Sequence, residues 1–450
     1  MTDLLPITPF TRPCRGQARV PGSKSITNRA LLLAAMSQCR IRLEGALFSD
    51  DVQVMIKALR TLGFSLEDDA ENSVIEIQGE NGRIPFREAD LFVGNAGTVA
   101  RFLTAALCLQ WGGKYRLDGT EAMRERPMRG LLDLLVSLGV RVKYEKTEGH
   151  FPFILETSGL KGGEWVVDAT ASSQILSAML MVAPLADGDV AVILDGETVS
   201  KPFVHMTMKI CNQFLDGMAL FLHDGKRYET VDIQAYSRET TAYFVEPDST
   251  AASYFLALPI ATGGSCEVAG VKLDGLQGDA AFSQVLQKMG LTVQFSQQGV
   301  HVTKGNTPFG GTFDFNAISD TFLTLSALAP LLKEPTKITG IAHTRKQETD
   351  RVCAMANELR KMGQIVEETE DSITVFPDRD KLLETAAKGV EIDTYEDHRV
   401  AMSFGVLGSA DPLGDGRSWL AIRNPDCCGK TFPGFFDELE RLRLLSLAPS

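Results

Sequence analysis

The chain has few of the residues that build metal centres. Its 450 residues include six histidines and eight cysteines, and these form no H-x-H, H-E-x-x-H or C-x-x-C pattern. We therefore expect no dedicated metal site. The cysteines are far apart except for the adjacent Cys427 and Cys428, and Cys108 falls inside an apolar stretch. This distribution predicts buried, reduced thiols.

Long apolar runs and an excess of positive charge are also missing. The longest apolar run, residues 175–185, is shorter than the ~18 residues that a membrane-spanning helix needs. Residues 1–15 have neither the apolar core of a signal peptide nor the Arg- and Ser-rich character of a transit peptide. A formal net charge of −13 argues against nonspecific binding to nucleic acid. We therefore expect a cytoplasmic protein with no membrane or nucleic-acid partner.

The sequence does have the composition of a globular protein and a repeated pattern. Apolar residues make up 44% and charged residues 23% of a chain that is too long for one ordinary core, so two or more domains are expected. In six places a polar turn runs into an apolar stretch of helical period: Ser23-Lys24-Ser25-Ile26-Thr27-Asn28-Arg29 before residues 30–36, Gly94-Asn95-Ala96-Gly97-Thr98 before 99–109, Asp168-Ala169-Thr170-Ala171-Ser172-Ser173 before 174–185, Pro247-Asp248-Ser249-Thr250 before 251–260, Ile318-Ser319-Asp320 before 321–332, and Tyr395-Glu396-Asp397 before 398–407. A spacing of roughly 70–80 residues indicates one α/β unit used six times.

The residues after these stretches indicate how each unit continues. A second helix ends in Leu-Gly or Met-Gly and two alternating strands follow, with the clearest helix stops at Leu62-Gly63, Leu138-Gly139, Met289-Gly290 and Met362-Gly363. Glycine stops a helix there because it tolerates the left-handed conformation. Six units divide most naturally into three plus three, with residues 243–248 as the best boundary. A ligand would then bind in the cleft between the halves.

Basic residues stand where a helix dipole disfavours them. The N-terminal end of a helix favours anions and disfavours cations by roughly 0.3–1 kcal/mol each. Nevertheless, the starts of four units carry Lys24, Arg29, Arg101, Arg351 and Arg399. A solvated helix end explains any single one of these residues, but their recurrence favours an anion held among them. Arg126 and Lys430 are candidates to join the set.

Several acidic residues are candidates for proton transfer. Asp248, Asp320 and Asp397 each stand at an expected helix N-cap, and capping alone explains any of them. Glu348 is different because its short loop also contains the cations Arg345, Lys346 and Arg351. A carboxylate among cations stays ionised near neutral pH and can transfer protons. The residue pattern leaves open which of these acids are catalytic.

Eight short segments occur in an order shared with a known family. They are Pro21-Gly22-Ser23-Lys24-Ser25-Ile26-Thr27-Asn28-Arg29, Gly94-Asn95-Ala96-Gly97-Thr98, Arg126-Pro127, Ser172-Ser173-Gln174, Ser200-Lys201-Pro202, Glu348-Thr349-Asp350-Arg351, Asp397-His398-Arg399 and Lys430-Thr431-Phe432-Pro433. They extend over nearly the whole chain. Together they are specific for one family, although no single segment is specific on its own. With them, the chain resembles the 5-enolpyruvylshikimate-3-phosphate synthase family, the enolpyruvyl transferases of the shikimate pathway.

The resemblance implies a fold and a reaction. The fold would be the two-domain enolpyruvyl transferase fold, an inside-out α/β barrel of six βαβαββ repeats with three in each domain. One domain would comprise residues 23–245 and the other residues 1–22 and 246–450, with the active site in the cleft between them. Phosphoenolpyruvate and shikimate 3-phosphate would give the enolpyruvyl ether and phosphate through a tetrahedral ketal, without a metal or organic cofactor. We expect a monomer whose partners are these small molecules.

The resemblance also implies roles for residues at matching positions. Shikimate 3-phosphate would be held by Lys24, Ser25, Arg29, Ser172, Ser173, Gln174, Ser200, Asp320 and Gln347. Phosphoenolpyruvate would be held by Lys24, Gly97, Arg126, Gln174, Arg351, Arg399 and Lys430. Asp320 would take the proton of the attacking hydroxyl, and Glu348 would donate a proton to the methylene carbon. Lys24 is placed to serve both substrates and counts with these two acids as catalytic.

Three positions depart from the family's usual pattern. Gln347 replaces a substrate-facing Lys, Phe203 stands where many members have Tyr, and Phe102 stands where glyphosate-sensitive members often have Pro. The first departure bears on substrate affinity more than on reaction type. One alternative is the UDP-N-acetylglucosamine enolpyruvyl transferase family, which shares the fold and the donor but usually carries a reactive loop Cys and an early Lys-Asn pair, where this chain has Lys24-Ser25. The other is a noncatalytic anion-binding homologue, suggested by Gln347.

Overall fold

The computed structural model describes residues 4–170, 172–196, 201–215, 222–223, 226–230, 236 and 241–448. The chain forms two compact units. The N-terminal unit comprises Gly22–Glu246, and the C-terminal unit comprises Met1–Pro21 together with Pro247–Ser450. None of the helices in the described ranges combines the length and the apolar character needed to cross a membrane.

Strands and helices alternate along both units. The described strands are β1 Leu4–Pro6, β2 Gln17–Ala18, β3 Arg40–Glu44, β4 Leu66–Asp69, β5 Val74–Gln78, β6 Glu88–Phe92, β7 Trp111–Asp118, β8 Arg141–Tyr144, β9 Phe153–Ser158, β10 Lys161–Asp168, β11 Asp187–Asp195, β12 Leu222–His223, β13 Arg227–Thr230, β14 Ala242–Phe244, β15 Ser265–Ala269, β16 Thr292–Ser296, β17 Gly299–Thr303, β18 Gly311–Asp314, β19 Thr336–Thr339, β20 Ile365–Glu368, β21 Ser372–Phe376, β22 Val390–Ile392 and β23 Leu420–Arg423. The described α-helices are α1 Lys24–Met36, α2 Asp50–Thr61, α3 Gly97–Leu107, α4 Glu121–Glu125, α5 Arg129–Ser137, α6 Ser173–Val182, α7 Lys201–Gln213, α8 Ser249–Thr262, α9 Phe282–Lys288, α10 Phe322–Leu328, α11 Arg351–Lys361, α12 Arg379–Lys388, α13 His398–Gly408 and α14 Phe435–Leu447. Short 3-10 helices span Ala183–Leu185, Gly278–Ala281, Asn316–Thr321, Ala329–Leu331, Ala342–Lys346 and Pro425–Lys430.

The strands of the described ranges pair into six sheets with one recurring order. In the sheet β6-β7-β9-β8, β6 is parallel to β7, and β9 is antiparallel to both β7 and β8. With α3 between β6 and β7 and α5 between β7 and β8, this arrangement is a βαβαββ unit. The same order recurs in β14-β3-β5-β4, β10-β11-β13-β12, β2-β15-β17-β16 and β18-β19-β21-β20, and β22-β23-β1 repeats part of it. The predicted α/β fold of six repeats is confirmed.

Helix ends follow the glycine pattern of the sequence. Helices α2, α5, α9 and α11 each end two residues before a glycine, namely Gly63, Gly139, Gly290 and Gly363. All four glycines have positive φ angles, between 74° and 98°. A residue with a Cβ is unfavourable in this left-handed region, so glycine fixes where the helix ends and the following strand begins. The predicted helix stops are confirmed.

The first helix of most repeats lies in the core of its unit. In α8, every residue from Ser249 to Ile260 is buried, and this helix packs against α10 and α13 in the C-terminal unit. In the N-terminal unit, α3 packs against α1 and α6. Because α8 is apolar on nearly all sides, it is stable only when surrounded by protein. The packing of these helices brings together the N-terminal ends that carry the predicted turns.

Three of these helices, α1, α6 and α10, differ from the prediction. Helix α1 begins at Lys24 and not near residue 30, so the predicted turn is itself the first two helical turns. The predicted helix over residues 321–332 is divided into the 3-10 helix Asn316–Thr321, α10 and the 3-10 helix Ala329–Leu331. Pro330 has no N–H group to continue the α-helical pattern. An identical Ala-Pro-Leu triplet follows α6 at Ala183–Leu185.

The cysteines agree only in part with the expectation of buried thiols. All eight are free, but Cys39, Cys353 and Cys427 are half-buried and not buried. Cys108 is buried at the end of α3, where burial raises the pKa of its thiol. A thiol with a raised pKa is poorly nucleophilic because the reactive species is the thiolate. Cys108 is therefore a packing residue.

Candidate active site

The first turn of α1 provides a paired cation. Lys24 is the first residue of the helix, and its Nζ lies 3.0 Å from Oδ2 of Asp51 in the first turn of α2. The two side chains are 15% and 8% exposed. This contact ties the ends of two consecutive helices and leaves the lysine accessible from one side. Asp51 was missed by sequence reasoning because an acidic residue in the first turn of a helix needs no other explanation than the helix dipole.

Arg29 lies one turn further along α1 and is buried. Its Nε donates to Oγ1 of Thr207 at 2.7 Å, its Nη1 to the carbonyl of Ser25 at 2.9 Å and its Nη2 to Oγ of Ser177 at 3.3 Å. The guanidinium also lies over the ring of Phe102, 5.1 Å from its centroid. Burial lowers the pKa of Arg29 to about 10, so the group remains charged at neutral pH. These contacts show Arg29 joining α1 to α3, α6 and α7, and its contact with a ligand stays a prediction.

Two arginines meet at the backbone of Gly97, the first residue of α3. A Cβ at this position would lie 2.8 Å from Nη2 of Arg126 and 2.9 Å from Nη1 of Arg101. Arg101 is buried and donates to the carbonyls of Gly97 at 2.9 Å and Pro127 at 3.1 Å. Burial and the charge of Arg126 lower the pKa of Arg101 to about 9. Glycine is thus required for the close approach of two like charges, an arrangement that favours an anion beside them.

The start of α6 supplies polar groups next to the start of α3. Ser172 caps α6 by accepting a hydrogen bond from the backbone N–H of Gln174 at 3.2 Å. The Nε2 of Gln174 donates to Oγ1 of Thr98 at 3.2 Å, and Ser173 is buried. Four predicted site residues, Gly97, Ser172, Ser173 and Gln174, therefore lie on two neighbouring helix starts. Ser200 lies outside the described residues.

The N-terminal unit carries positive charge that its own carboxylates do not neutralise. In the described part of the chain, Arg29, Arg101 and Arg126 form no ion pair, whereas Lys24 pairs with Asp51. Two of the three arginines are buried. A buried cation without a counter-ion is unfavourable, and a bound anion removes this cost. The N-terminal unit is therefore the part of the chain where the described charges favour an anionic ligand most.

The C-terminal unit has a different arrangement, centred on Arg351 at the start of α11. Its Nη1 lies 2.9 Å from Oδ1 of Asp320, its Nη2 lies 2.9 Å from Oε2 of Glu348, and its Nε lies 2.7 Å from Oδ2 of Asp397. The arginine side chain is 2% exposed. Burial alone lowers the pKa of this guanidinium, but the three carboxylates outweigh that effect and raise the pKa above its usual value. Arg351 is therefore permanently charged.

Two further cations complete this cluster. Nη2 of Arg399 lies 2.9 Å from Oδ2 of Asp320, and Nζ of Lys430 lies 3.0 Å from Oε1 of Glu348. Three cations thus meet three carboxylates, and their formal charges cancel. Five predicted site residues of the C-terminal unit lie in this cluster: Asp320, Glu348, Arg351, Arg399 and Lys430. An anionic ligand would have to compete with the carboxylates for these cations.

Asp320 is not the helix cap that its position in the sequence suggests. The cap position of α10 belongs to Thr321, and the carboxylate of Asp320 instead bridges Arg351 and Arg399. In contrast, Asp248 accepts from the N–H of Ala251 at 2.8 Å, and Asp397 accepts from the N–H of Arg399 at 2.9 Å. The capping prediction is confirmed for those two and wrong for Asp320. The contacts of Asp320 are those of a carboxylate between two cations.

The loop before α11 is held by charges of its own. Arg345 contacts Asp350 at 2.8 Å and Glu368 of β20 at 3.3 Å, so its charge is paired with two carboxylates and ties the loop to the sheet. Gln347 accepts a hydrogen bond on Oε1 from Nη1 of Arg351. A lysine at this position could not accept that bond. The glutamine therefore changes how Arg351 is held, which its sequence position alone did not indicate.

Two residues near Asp320 were missed by sequence reasoning. Asp279, in the 3-10 helix after β15, accepts a hydrogen bond from the hydroxyl of Thr250. Burial and the charge of Asp320 raise the pKa of Asp279 above its usual range. His343 is hydrogen-bonded through Nε2 to Oγ of Ser319 at 2.8 Å, and burial lowers the pKa of its ring. Neither lies in a segment with a recognisable pattern, so no local signal could have found them.

The described residues hold groups suited to proton transfer and to binding anions. In these ranges there is no cluster of His, Cys, Asp and Glu arranged to hold a metal ion. Carboxylates next to cations can accept and donate protons, and fixed cations stabilise charge that develops in a transition state. The described groups of each unit can therefore bind anions, and the carboxylates of the C-terminal unit can also transfer protons.

Comparison with known proteins finds that the chain is similar to EPSP synthases. A family model described as EPSP synthase (3-phosphoshikimate 1-carboxyvinyltransferase) matches residues 10–439. A 3-phosphoshikimate 1-carboxyvinyltransferase of Opitutus terrae is 48% identical, covering 100% of this chain and 99% of the relative. One of Sulfurovum sp. is 40% identical, covering 96% and 97%. A solved structure of EPSP synthase from Acinetobacter baumannii has a TM-score of 0.79 at 24% identity and covers 98% of both chains, which supports the fold.

Proposed function

The chain belongs to the EPSP synthase family, and we propose that it is a 3-phosphoshikimate 1-carboxyvinyltransferase. It transfers the enolpyruvyl group of phosphoenolpyruvate to the 5-hydroxyl of shikimate 3-phosphate and releases phosphate, a step of the shikimate pathway to the aromatic amino acids. The observation that carries the residue roles is the position of Asp320 between two arginines. The names of the relatives do not favour the alternative acceptor, UDP-N-acetylglucosamine.

The two units contribute different groups to the substrates. For phosphoenolpyruvate we assign Lys24, Gly97, Arg126 and Gln174 of the N-terminal unit and Arg351, Arg399 and Lys430 of the C-terminal unit. For shikimate 3-phosphate we assign Lys24, Ser25, Arg29, Ser172, Ser173, Gln174 and Ser200 of the N-terminal unit and Asp320 and Gln347 of the C-terminal unit. For the N-terminal unit, support comes from the neighbouring starts of α3 and α6, where several of these residues lie. For the C-terminal unit, support comes from the charge cluster around Arg351. Hydrogen bonds to charged groups contribute roughly 1.5–3 kcal/mol each.

The reaction needs one base and one acid. Asp320 removes the proton of the 5-hydroxyl of shikimate 3-phosphate while the hydroxyl oxygen attacks C2 of phosphoenolpyruvate. Glu348 donates a proton to C3 of phosphoenolpyruvate, and a tetrahedral ketal forms. Loss of a proton from the new methyl group and cleavage of the C–O bond to phosphate then give the enolpyruvyl ether and inorganic phosphate. Each positioned acid or base contributes on the order of 10²–10⁴ in rate.

Competition for the cations links binding to catalysis. Glu348 contacts Arg351 and Lys430, and a carboxylate held by two cations is a poor proton donor because they favour its ionised form. When substrate anions take up these cations, the carboxylate regains its affinity for a proton. The same exchange frees Asp320 to accept one. Binding of the anions thus prepares both groups for the chemical steps.

Phosphorus NMR of the protein mixed with both substrates tests the proposal. The expected result is loss of the phosphoenolpyruvate signal and growth of an inorganic phosphate signal. No inorganic phosphate should form when UDP-N-acetylglucosamine replaces shikimate 3-phosphate. Asp320→Asn and Glu348→Gln should lower turnover far more than substrate binding. Binding of both substrates without phosphate release would instead indicate a noncatalytic homologue, and a mainly binding defect in either variant would reassign that residue.

We also propose that the enzyme acts as a monomer in the cytoplasm. The monomer is what the resemblance to the family implies, and the composition of a globular protein supports the location. Sedimentation equilibrium over a range of protein concentrations should give the mass of one chain. A mass of two chains would contradict the proposal.

A further inference from the structure

The turn before α13 has an unfavourable backbone. Tyr395 has a φ of 55° and Glu396 a φ of 57°. Both angles lie in the left-handed region, where a Cβ approaches the following carbonyl oxygen. Such residues persist only where the surrounding structure holds them. Two in succession therefore require specific contacts.

Glu358 of α11 provides those contacts. Its side chain is fully buried, and its Oε1 accepts a hydrogen bond from the hydroxyl of Tyr395 at 2.7 Å. Its Oε2 accepts from the backbone N–H of Asp393 at 3.2 Å and lies 2.8 Å from Nζ of Lys361. Burial and the bond to Glu358 raise the pKa of Tyr395, so the phenol keeps its proton and remains a donor. One carboxylate thus holds Tyr395 in the turn and Asp393 just before it.

The other end of the turn places Asp397 in the charge cluster. The N–H of Asp397 donates to the carbonyl of Thr394 at 2.8 Å. Its carboxylate is fully buried and lies 2.7 Å from Nε of Arg351. Helix α11 therefore touches this turn twice, through Arg351 in its first turn and through Glu358 about 10 Å along its axis. The contact through Glu358 holds the turn in the conformation that places Asp397 against Arg351.

We propose that Tyr395 and Glu358 are positioning residues for the binding of phosphoenolpyruvate. Their hydrogen bond holds the left-handed turn that sets Asp397 against Arg351, and Asp397 in turn fixes the direction of the guanidinium. The inference rests on the proposed function because it takes Arg351 as a phosphoenolpyruvate ligand. Neither residue touches a substrate in this scheme. Loss of the bond should affect phosphoenolpyruvate more than shikimate 3-phosphate.

Steady-state kinetics of Tyr395→Phe test this inference. Without the hydroxyl, the turn relaxes and Arg351 loses its fixed direction, so the KM for phosphoenolpyruvate should rise on the order of tenfold. The KM for shikimate 3-phosphate should change much less. Adding Glu396→Gly should recover part of the loss, because glycine takes the left-handed conformation without a Cβ. A purely structural role for Tyr395 does not predict the difference between the two substrates.

Tyr115→Phe is a control for the loss of a tyrosine hydrogen bond, at a ring that is buried where that of Tyr395 is 38% exposed. It removes a hydrogen bond of similar length, 2.9 Å to the carbonyl of Phe86, from the N-terminal unit. We expect a lower Tm and unchanged KM values for both substrates. If Tyr395→Phe does not fold, Glu358→Gln is measured in the same way, because a glutamine has only one acceptor oxygen for the hydroxyl of Tyr395 and the N–H of Asp393. A rise confined to phosphoenolpyruvate supports the inference in that variant as well.

Several outcomes would overturn the inference. They are a KM for phosphoenolpyruvate equal to that of the wild type, equal rises for both substrates, or no recovery on adding Glu396→Gly. Wild-type turnover in the same assay separates the two levels of the argument. An inactive wild type refutes the proposed function, whereas an active wild type with unaffected variants refutes only the positioning role.

Discussion

Replacing Arg351 by methionine removes the cation that three carboxylates share. The side chain is 2% exposed and contacts Asp320, Glu348 and Asp397 at 2.7–2.9 Å. After the replacement, Asp320 and Glu348 each keep one other cation, but the buried Asp397 loses its guanidinium partner. Removing one partner of a buried pair costs roughly 3–5 kcal/mol. That is a large part of the roughly 5–15 kcal/mol by which a domain is stable.

Calorimetry gives the measurement. For a domain of about 150–250 residues, each kcal/mol shifts Tm by roughly 2–4 °C, so the transition of the C-terminal unit should fall by roughly 6–20 °C. Arg360→Met on the same helix is a matched control, because Arg360 is 41% exposed and pairs with Glu368 at 3.0 Å. An exposed pair contributes at most about 1 kcal/mol, so its Tm should fall by less than about 4 °C.

A second substitution tests the cause of the loss. Combining Arg351→Met with Asp397→Asn removes both partners, so no unpaired charge stays buried at this contact. The double variant should be more stable than the sum of the single losses by roughly 0.5–3 kcal/mol. Additive losses, or a Tm for Arg351→Met no lower than that of Arg360→Met, would refute the account of the cluster.

Three further predictions concern other parts of the site. Gly97→Ala places a Cβ 2.8 Å from Nη2 of Arg126, so the KM for phosphoenolpyruvate should rise while that for shikimate 3-phosphate changes less; equal changes in kinetic assays would contradict this. The raised pKa of Asp279 means that the folded chain holds a proton which the unfolded chain releases, so this contribution to stability is present below about pH 4 and lost as the pH rises towards about 7. Asp279→Asn should therefore flatten the decline of Tm over that interval, and an unchanged slope would speak against the assignment. Lys24→Ala removes the partner of Asp51 and should raise the dissociation constants of both substrates in calorimetric titrations, whereas an effect on only one would show that the lysine is not shared.

Local patterns predicted much of the fold. The helix stops before Gly63, Gly139, Gly290 and Gly363 were readable because a left-handed residue after a helix depends only on the residue itself. The caps at Asp248 and Asp397 were readable for a similar reason, since each bonds to an N–H within three residues. Recurrence of the polar turns then predicted six repeats, and the sheets show them.

Asp320 shows where local patterns stop being informative. Its position before an apolar helix predicted a cap, yet its carboxylate bridges Arg351 and Arg399, which are 31 and 79 residues away. Asp51 and Asp279 carried no recognisable signal at all. Their roles depend on Lys24 and Thr250, which are 27 and 29 residues away in sequence. The resemblance to a family named most of the candidate residues but none of these pairings.

The sequence by itself determined the six-repeat α/β fold, the family and the set of charged candidates. Those features follow from periodicity, capping and motif order, which act over a few residues or are carried by the chain directly. Only the tertiary structure decided which charges neutralise one another, with Arg351 balanced by three carboxylates and the arginines around Gly97 left without any in the described residues. Electrostatic interaction depends on the distance between groups in space and on their burial, and neither quantity is set by separation along the chain.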